Sequence, residues 1–417
     1  MADRAGGRAG QLESSRLRPG WTTGACATAA ARAAWVALVT GEFPDPVTIE
    51  LPLGRTPAFA LTAERLDREG DAVVAAMAAV TKDAGDDPDI THGAVVRATV
   101  RLGAPGSGIV FAAGPGVGTV TLPGLPLAIG EPAINPGPRT QITDNLAAAA
   151  SALGREVGDV VVQVAIDDGE ELARHTLNAR IGVLGGLSVL GTTGVVVPYS
   201  CSAWIDSIRR GIDVARATGQ THVAACTGST SESVARQALG LPDVALLDMG
   251  DFAGAVLKYL RTHPVPRLTI VGGVAKLAKL AQGHLDLHSA RSATDHDQLA
   301  ALAREVGAGE RVVTAVREAS TVLGAVEVCR DAGVPLGDAV AAAARREVVR
   351  LLRRADIAVT VVCIDRLGAV VGSAAHVTPP IDAVSGVRGR PCQDGAGGDR
   401  SATISGAPDK PQVVPGA

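Results

Sequence analysis

The chain has 417 residues, 47% of them hydrophobic but only 2% aromatic, and a formal net charge of −4. That length allows two domains or one large domain with a tail, and the core must be built from Ala, Val, Leu and Ile. A slightly acidic chain without a basic stripe excludes a nucleic-acid footprint, so any anionic ligand must be met by local basic groups.

Residues 1–16 are polar and rich in Gly and Arg, which predicts disorder. The apolar run "ACATAAARAAWVALV" follows. Arg32 interrupts it and it is too short to span a bilayer, so it reads as a buried helix. Thr22 or Thr23 caps it, a hydroxyl accepting from a first-turn N–H. No other segment is a membrane candidate. "PVTIELPLG" (46–54) and "PAFALTAERL" (57–66) read as strands around the turn at Gly54. In "THGAVVRATVRL" (91–102), Val96, Ala98, Val100 and Leu102 fall on one face, and Arg97, Thr99 and Arg101 on the other. This is a half-buried strand. "GIVFAAGPGVGTVTLPG" (108–124) predicts a hairpin around its glycines, "RTQITDNLAAAASALG" (139–154) a helix and "DVVVQVAI" (159–166) a strand. "DDGEELARHTLNARIG" (167–182) starts a helix, with Glu170 and Glu171 in the first turn where the helix dipole favours acids. Residues 17–200 therefore form a mixed α+β domain without regular βαβ order.

The second half alternates. A helix near 202–218 leads to the strand 221–226, then follow helix 231–239, strand 244–249, helix 252–262, strand 267–273 and helix 274–282. Helices near 296–306, 310–331 and 337–354 precede a last strand, 357–365, which closes the domain. Strand–helix alternation with short connections predicts an α/β domain, 201–377, with a mostly parallel sheet covered by helices on both faces. Beyond about residue 378 Pro, Gly and Asp dominate, and 378–417 reads as a disordered tail.

The six cysteines, Cys26, Cys201, Cys226, Cys329, Cys363 and Cys392, form no C-x-x-C pair. That argues against a zinc site and a disulfide framework and fits a reducing cytoplasm. His284 and His288 have the i, i+4 separation of a metal helix, but "GHLDLHS" lacks the helical context. There is no G-x-S-x-G elbow.

Five stretches concentrate polar chemistry. "KDAGDDPDITHG" (82–93) gathers Asp83, Asp86, Asp87, Asp89 and His92, either to serve a cation or a proton or as a solvated turn. "GPGVG" (114–118) resembles a nucleotide loop, but no helix follows it, so a hairpin turn is the better reading. "GEPAINPGPR" (130–139) presents Glu131, Asn135 and Arg139 from a proline-stiffened loop, for binding or as a linker. "LGGLSVLGTTGVVVP" (184–198) offers open backbone N–H groups at Gly185, Gly186, Gly191 and Gly194 and the hydroxyls of Thr192 and Thr193, or else is a tight crossover. "VGGVAKLAKLAQG" (271–283) sets Lys276 and Lys279 one turn apart, as compact point charges or a solvated face.

Read in order, "PGWTTGACATAAARAA", "TKDAGDDPDITHGA", "GPGVGTVTLPGLPLAIGEPAINPGPR", "DGEELARHTLNARIGVLGGLSVLGTTGVVVP" and "TIVGGVAKLAKLAQG" resemble the cobalt-precorrin-5B C-1 methyltransferases, the CbiD family of the oxygen-independent cobalamin pathway. The resemblance runs from about residue 17 to 300 and more weakly to 375. Val197, Tyr199 and the run Gly273, Val274, Ala275 depart from the residues usual in the family. The resemblance implies methyl transfer from S-adenosylmethionine to ring carbon C-1 of a cobalt tetrapyrrole. It implies no protein-bound metal, because the cobalt arrives in the substrate. Its partner is that small molecule, with no nucleic acid and no membrane, and a homo-oligomer stays open. On this reading Asp86, Asp87 and His92 are the catalytic candidates. Glu131, Asn135, Arg139, Asn178, Arg180, Lys276 and Lys279 meet the substrate. Thr22, Thr23, Gly24, Gly191, Thr192, Thr193 and Gly194 meet the cofactor. The rival classes are a nucleotide-dependent oxidoreductase on the second-half sheet and a non-catalytic tetrapyrrole carrier.

Overall fold

The structure is a computed structural model and describes residues 17–353 and 355–375. The expected disordered ends, 1–16 and 378–417, lie outside the described residues. The chain divides into two compact units, one running to Arg210 and one starting at Gly211. The division falls inside a helix rather than at the 200/201 boundary expected from sequence.

The first unit opens with the short strand β1 (Gly20–Trp21) and helix α1 (Thr23–Thr40). Thr22 caps α1 by accepting from the Ala25 N–H, and Gly41 closes it in the left-handed region. Alanines cover α1 on every side, and a helix that is apolar all round must be buried all round. It lies against the main sheet and a second long helix, with Trp35 fully buried. Strands β2 (Val47–Thr48) and β3 (Ala58–Phe59) form a small ladder where two longer strands were expected. The main sheet uses β4 (Ala63–Glu69), β5 (Ala72–Thr81), β6 (Val95–Leu102), β7 (Ile109–Ala113) and, later in the chain, a strand at 160–166. β5 has no counterpart in the sequence reading, because "AVVAAMAAVT" is largely alanine, which has little strand preference. In β6, Val96, Ala98 and Val100 are buried as expected, but Leu102, at the strand's end, is exposed.

The expected hairpin at 108–124 does not form. β7 pairs in parallel with β10 (Val160–Ile166). β8 (Gly116–Val117) and β9 (Thr119–Val120) pair with β12 (Gly186–Leu187) and β11 (Val183–Leu184). A Cβ at Gly116 would stand 2.0 Å from the Ile166 carbonyl oxygen, so this glycine permits close backbone approach instead of a turn. Helix α2 (Pro136–Ala152) starts earlier than expected, with Pro136 at its first position. Helix α3 (Gly169–Ala173) is short. The Thr176 hydroxyl bonds the Ala173 carbonyl and accepts from Asn178 N, which diverts the chain from helix to turn. Strand β13 (Val195–Val196) returns to pair with β1.

Helix α4 (Cys201–Ala217) crosses the division. The second unit follows the predicted alternation: β14 (His222–Cys226), α5 (Ser229–Leu239), β15 (Leu246–Asp248), α6 (Ala253–Leu260), β16 (Arg267–Gly273) and α7 (Val274–Ala281). Helices α8 (His296–Glu305), α9 (Glu310–Glu318), α10 (Val322–Asp331) and α11 (Leu336–Leu352) precede β17 (Ala358–Ile364) and β18 (Val370–Ala374). The single helix expected over 310–331 is two, because the Thr321 side chain caps a new start at Gly324 N. β17 is not the last strand: β18 adds to it antiparallel. The sheet order is β15-β14-β16-β17-β18, parallel except for that edge. Strand order reverses between β14 and β16. Among the described residues no helix is long and apolar enough to cross a membrane.

Candidate active site

The acidic loop hangs between β5 and β6. Lys82 N donates to the Ala94 carbonyl and Gly93 N to that of Lys82, closing the loop at its neck. Inside, the Lys82 ammonium is buried against Asp89 and Thr91. Asp89 Oδ1 also accepts from Thr91 N and Oγ1, so this charge pair has the partners burial demands. Outside, Asp83 forks with Arg18, whose guanidinium, together with the Gly85 N–H, pulls the Asp83 carboxyl down to about 2. Asp86 accepts from Arg18 N at 2.6 Å and is exposed. Asp87 Oδ1 accepts from Tyr199 N at 2.7 Å. Burial raises the Asp87 carboxyl above the ordinary range, and the Tyr199 bond only partly offsets it. His92 Nδ1 accepts from Ala84 N at 3.1 Å. A ring nitrogen that accepts is unprotonated, so the neutral ring carries its proton on Nε2. The loop thus ties Asp83 and Asp86 to Arg18, Asp89 to Lys82 and Thr91, and Asp87 to Tyr199 N, and Asp87 is the one of the four whose carboxyl is raised.

The 188–194 segment is packed rather than open. Gly24 N donates to the Leu190 carbonyl, and Thr22 N to that of Gly194. A Cβ at Gly191 would stand 2.1 Å from Thr22 Oγ1, and one at Gly194 2.5 Å from Leu51. Thr22 is occupied as a cap and Thr23 is buried, while Thr192 and Thr193 are exposed. Gln141 reaches the Gly191 and Thr192 carbonyls with its amide nitrogen, and its buried Oε1 has no hydrogen-bond partner among the described residues.

The proline-stiffened loop lines a cavity of about 620 Å³. Leu125, Leu127, Ala128 and Pro136 supply its apolar wall, and Glu131 and Arg139 its charge. Arg139 Nε donates to the Ile134 carbonyl at 2.8 Å, and Nη2 to Glu131 Oε2 at 2.9 Å and the Pro132 carbonyl at 3.3 Å. Its guanidinium lies 5.4 Å from the Phe111 ring centre. Asn135 is buried as the α2 cap residue, with no side-chain capping bond. Asn178 bonds Gly186 and Ser188 at 3.4 Å, and half-buried Arg180 sits in the following 3₁₀ turn.

In the second unit Lys276 Nζ donates to the Thr227 carbonyl at 3.0 Å and pairs with Asp251 at 2.9 Å. It thereby joins the ends of β14, β15 and β16 at the point of strand-order reversal. Lys279 corrects the sequence reading. Its ammonium is buried on the Leu287 carbonyl and shares no solvated face with Lys276. Sequence reasoning missed Gly228 and Ser229, which open α5 without a side-chain cap, because "TGSTSES" matches no fingerprint. The strand–helix junction was the available signal. Among the described residues no three His, Cys, Asp or Glu side chains gather as a metal site.

The CbiD family model matches residues 10–198, and that of the CbiD C-terminal domain residues 286–375. The chain is 55% identical over 358 residues to the cobalt-precorrin-5B C(1)-methyltransferase of Paramagnetospirillum magneticum, covering 86% of this chain and 98% of that one. It is 56% identical to that of Halorhodospira halophila, covering 87% and 96%. A crystal structure of the cobalamin biosynthesis protein (cbiD) from Archaeoglobus fulgidus matches at 28% identity and a TM-score of 0.35, over 65% of this chain and 82% of that one. With more than half of the aligned residues identical along almost the whole length of such relatives, the chain belongs to the CbiD family of cobalt-precorrin-5B C(1)-methyltransferases.

Proposed function

We propose that the chain transfers the methyl group of S-adenosylmethionine to ring carbon C-1 of cobalt-precorrin-5B, giving cobalt-precorrin-6A in cobalamin biosynthesis, in the cytoplasm. The observation that carries this is 55% identity over 98% of a relative's length. When bound, S-adenosylmethionine supplies a methyl group on a sulfonium. The C–S bond breaks as the new C–C bond forms, and a proton leaves the macrocycle to discharge the charge gained. Holding the reactants in line and excluding water supplies roughly 7–11 kcal/mol of such a barrier. No protein nucleophile is needed.

For the cofactor the two glycine-rich regions differ in fit. The Gly191–Gly194 segment is filled by Thr22 and Leu51. At the ends of β14 and β16, by contrast, a Cβ at Gly228 or Gly273 would meet nothing within 4 Å. Open doubly wound sheets take ligands outside the strand ends where order reverses. There the N–H groups of Ser229, Thr230 and Ser231 precede the first helical bond, Glu232 to Gly228, and suit the methionyl carboxylate. Asp248, ending β15, stands where such sheets place the acceptor for ribose hydroxyls. Asp87, raised by burial, accepts the departing proton.

The test is turnover of cobalt-precorrin-5B with methyl-labelled S-adenosylmethionine. The expected product is one methyl heavier, labelled at C-1. Binding of the tetrapyrrole without labelled product would leave a carrier, and turnover that demands a nicotinamide would leave an oxidoreductase. With Asp87 as base, turnover falls as pH drops through a carboxyl value above the usual one, about 3.9. Asp87→Asn should lose at least about a hundredfold in turnover together with that acid limb.

A further inference from the structure

The cavity under the proline-stiffened loop is already furnished with one carboxylate, that of Glu131, on the guanidinium of Arg139. The two contacts that fix Arg139 are different ones. Nε is held by the Ile134 carbonyl and Nη2 also by that of Pro132, while Pro136 and Pro138 stiffen the backbone before it. Among the described residues Nη1 has no hydrogen-bond partner. The Glu131 side chain is 41% exposed, so its bond to Arg139 is a weak, solvent-screened one that another carboxylate can replace. Beside it stand Leu125, Leu127 and Ala128, half-exposed or exposed, an apolar strip against which part of a flat ring can rest.

We propose that Glu131 is a placeholder: it occupies Arg139 until a carboxylate on the rim of a flat macrocycle takes its seat, with the ring face against the Leu125–Ala128 wall. This rests on the methyltransferase reading for the identity of the macrocycle, and it reverses the role of Glu131 from ligand to competitor. Because the Ile134 and Pro132 carbonyls keep the guanidinium in place, neutralising Glu131 leaves Arg139 aimed as before. Displaced Glu131 moves to water, and no bond to the protein core is lost.

The experiment is fluorescence titration of the full chain with coproporphyrin III, a planar tetrapyrrole with four propionates. The variants are Glu131→Gln, Arg139→Gln and the double variant, with melting temperature as the folding control. Glu131→Gln should bind roughly threefold tighter, the scale of a released exposed ion pair. Arg139→Gln should bind at least about tenfold weaker, the scale of a lost charge-assisted bond. In the Arg139→Gln background, Glu131→Gln should give no gain. An equal gain in both backgrounds would reduce the effect to general repulsion and overturn the placeholder, as would weaker binding by Glu131→Gln. Failure of the parent chain to bind the porphyrin overturns the cavity as the macrocycle's seat. The labelled-methyl assay, run independently, shows whether the methyltransferase reading survives any of these.

Discussion

Gly191 and Gly194 in the first unit, and Gly228 and Gly273 in the second, all sit in turns rich in small residues, yet the space beside them is opposite. Beside Gly191 stands the Thr22 hydroxyl and beside Gly194 the Leu51 side chain, both closer than any Cβ tolerates. Among the described residues, a Cβ at Gly228 or Gly273 would meet nothing within 4 Å. The first pair lets two parts of one chain touch. The second lies where β14 and β16 run into α5 and α7, with room beside the backbone for a side chain. Glycine content alone therefore does not mark a ligand site, and a glycine whose missing side chain's place is already filled serves packing.

The sharpest way to break this comparison is Gly191→Ala. Its φ of +125° suits only glycine, and its Cβ would press on Thr22 Oγ1 at 2.1 Å. Overpacking together with an unfavourable backbone should cost about 3 kcal/mol, seen by calorimetry as a melting temperature lower by roughly 6–12 °C. An unchanged melting temperature with lost affinity for S-adenosylhomocysteine would return the 188–194 segment to the cofactor.

Ser229→Asp tests the other side and separates stability from binding. An acid in the first turn of α5 complements the helix dipole, so a helix end with only a structural role gains up to about 1 kcal/mol. If the methionyl carboxylate sits there, the new charge repels it. Titration calorimetry should show S-adenosylhomocysteine binding about tenfold weaker, roughly 1.4 kcal/mol, at an equal or higher melting temperature. Undiminished affinity would remove the α5 start from the site.

What the sequence made legible follows from the same physics. A threonine cap at Thr22 or Thr23, the alternation of β6 and the strand–helix succession from β14 to α7 are local patterns, written in hydroxyl position, period two and element spacing. The alanine-rich β5 and the parallel pairing of β7 with β10 are decided by distant neighbours, as is the burial of Lys279 on Leu287. No window of sequence contains both partners of such a contact. The acidic loop lies between these cases. Its polarity is plain in the text, but which carboxylate is spent depends on Arg18 and Tyr199, far off in the chain.

The smallest expected effect is that of Gly273→Ala, and its smallness is what makes it informative. Gly273 caps α7 with φ −58° and ψ 135°, a conformation any residue adopts, and its Cβ would meet nothing. Alanine is a poorer cap than glycine, by roughly 0.5–1 kcal/mol. It also restricts the unfolded chain, which returns about 0.4–1 kcal/mol. The two terms nearly cancel, so the melting temperature should move by less than about 2 °C in either direction. Gly191→Ala adds the same methyl group to the same chain, so the difference between the two variants isolates the neighbour from the substitution. A large loss at Gly273 would mean that its surroundings are filled in solution, and the ends of β14 and β16 would then lose the open space on which the cofactor reading depends.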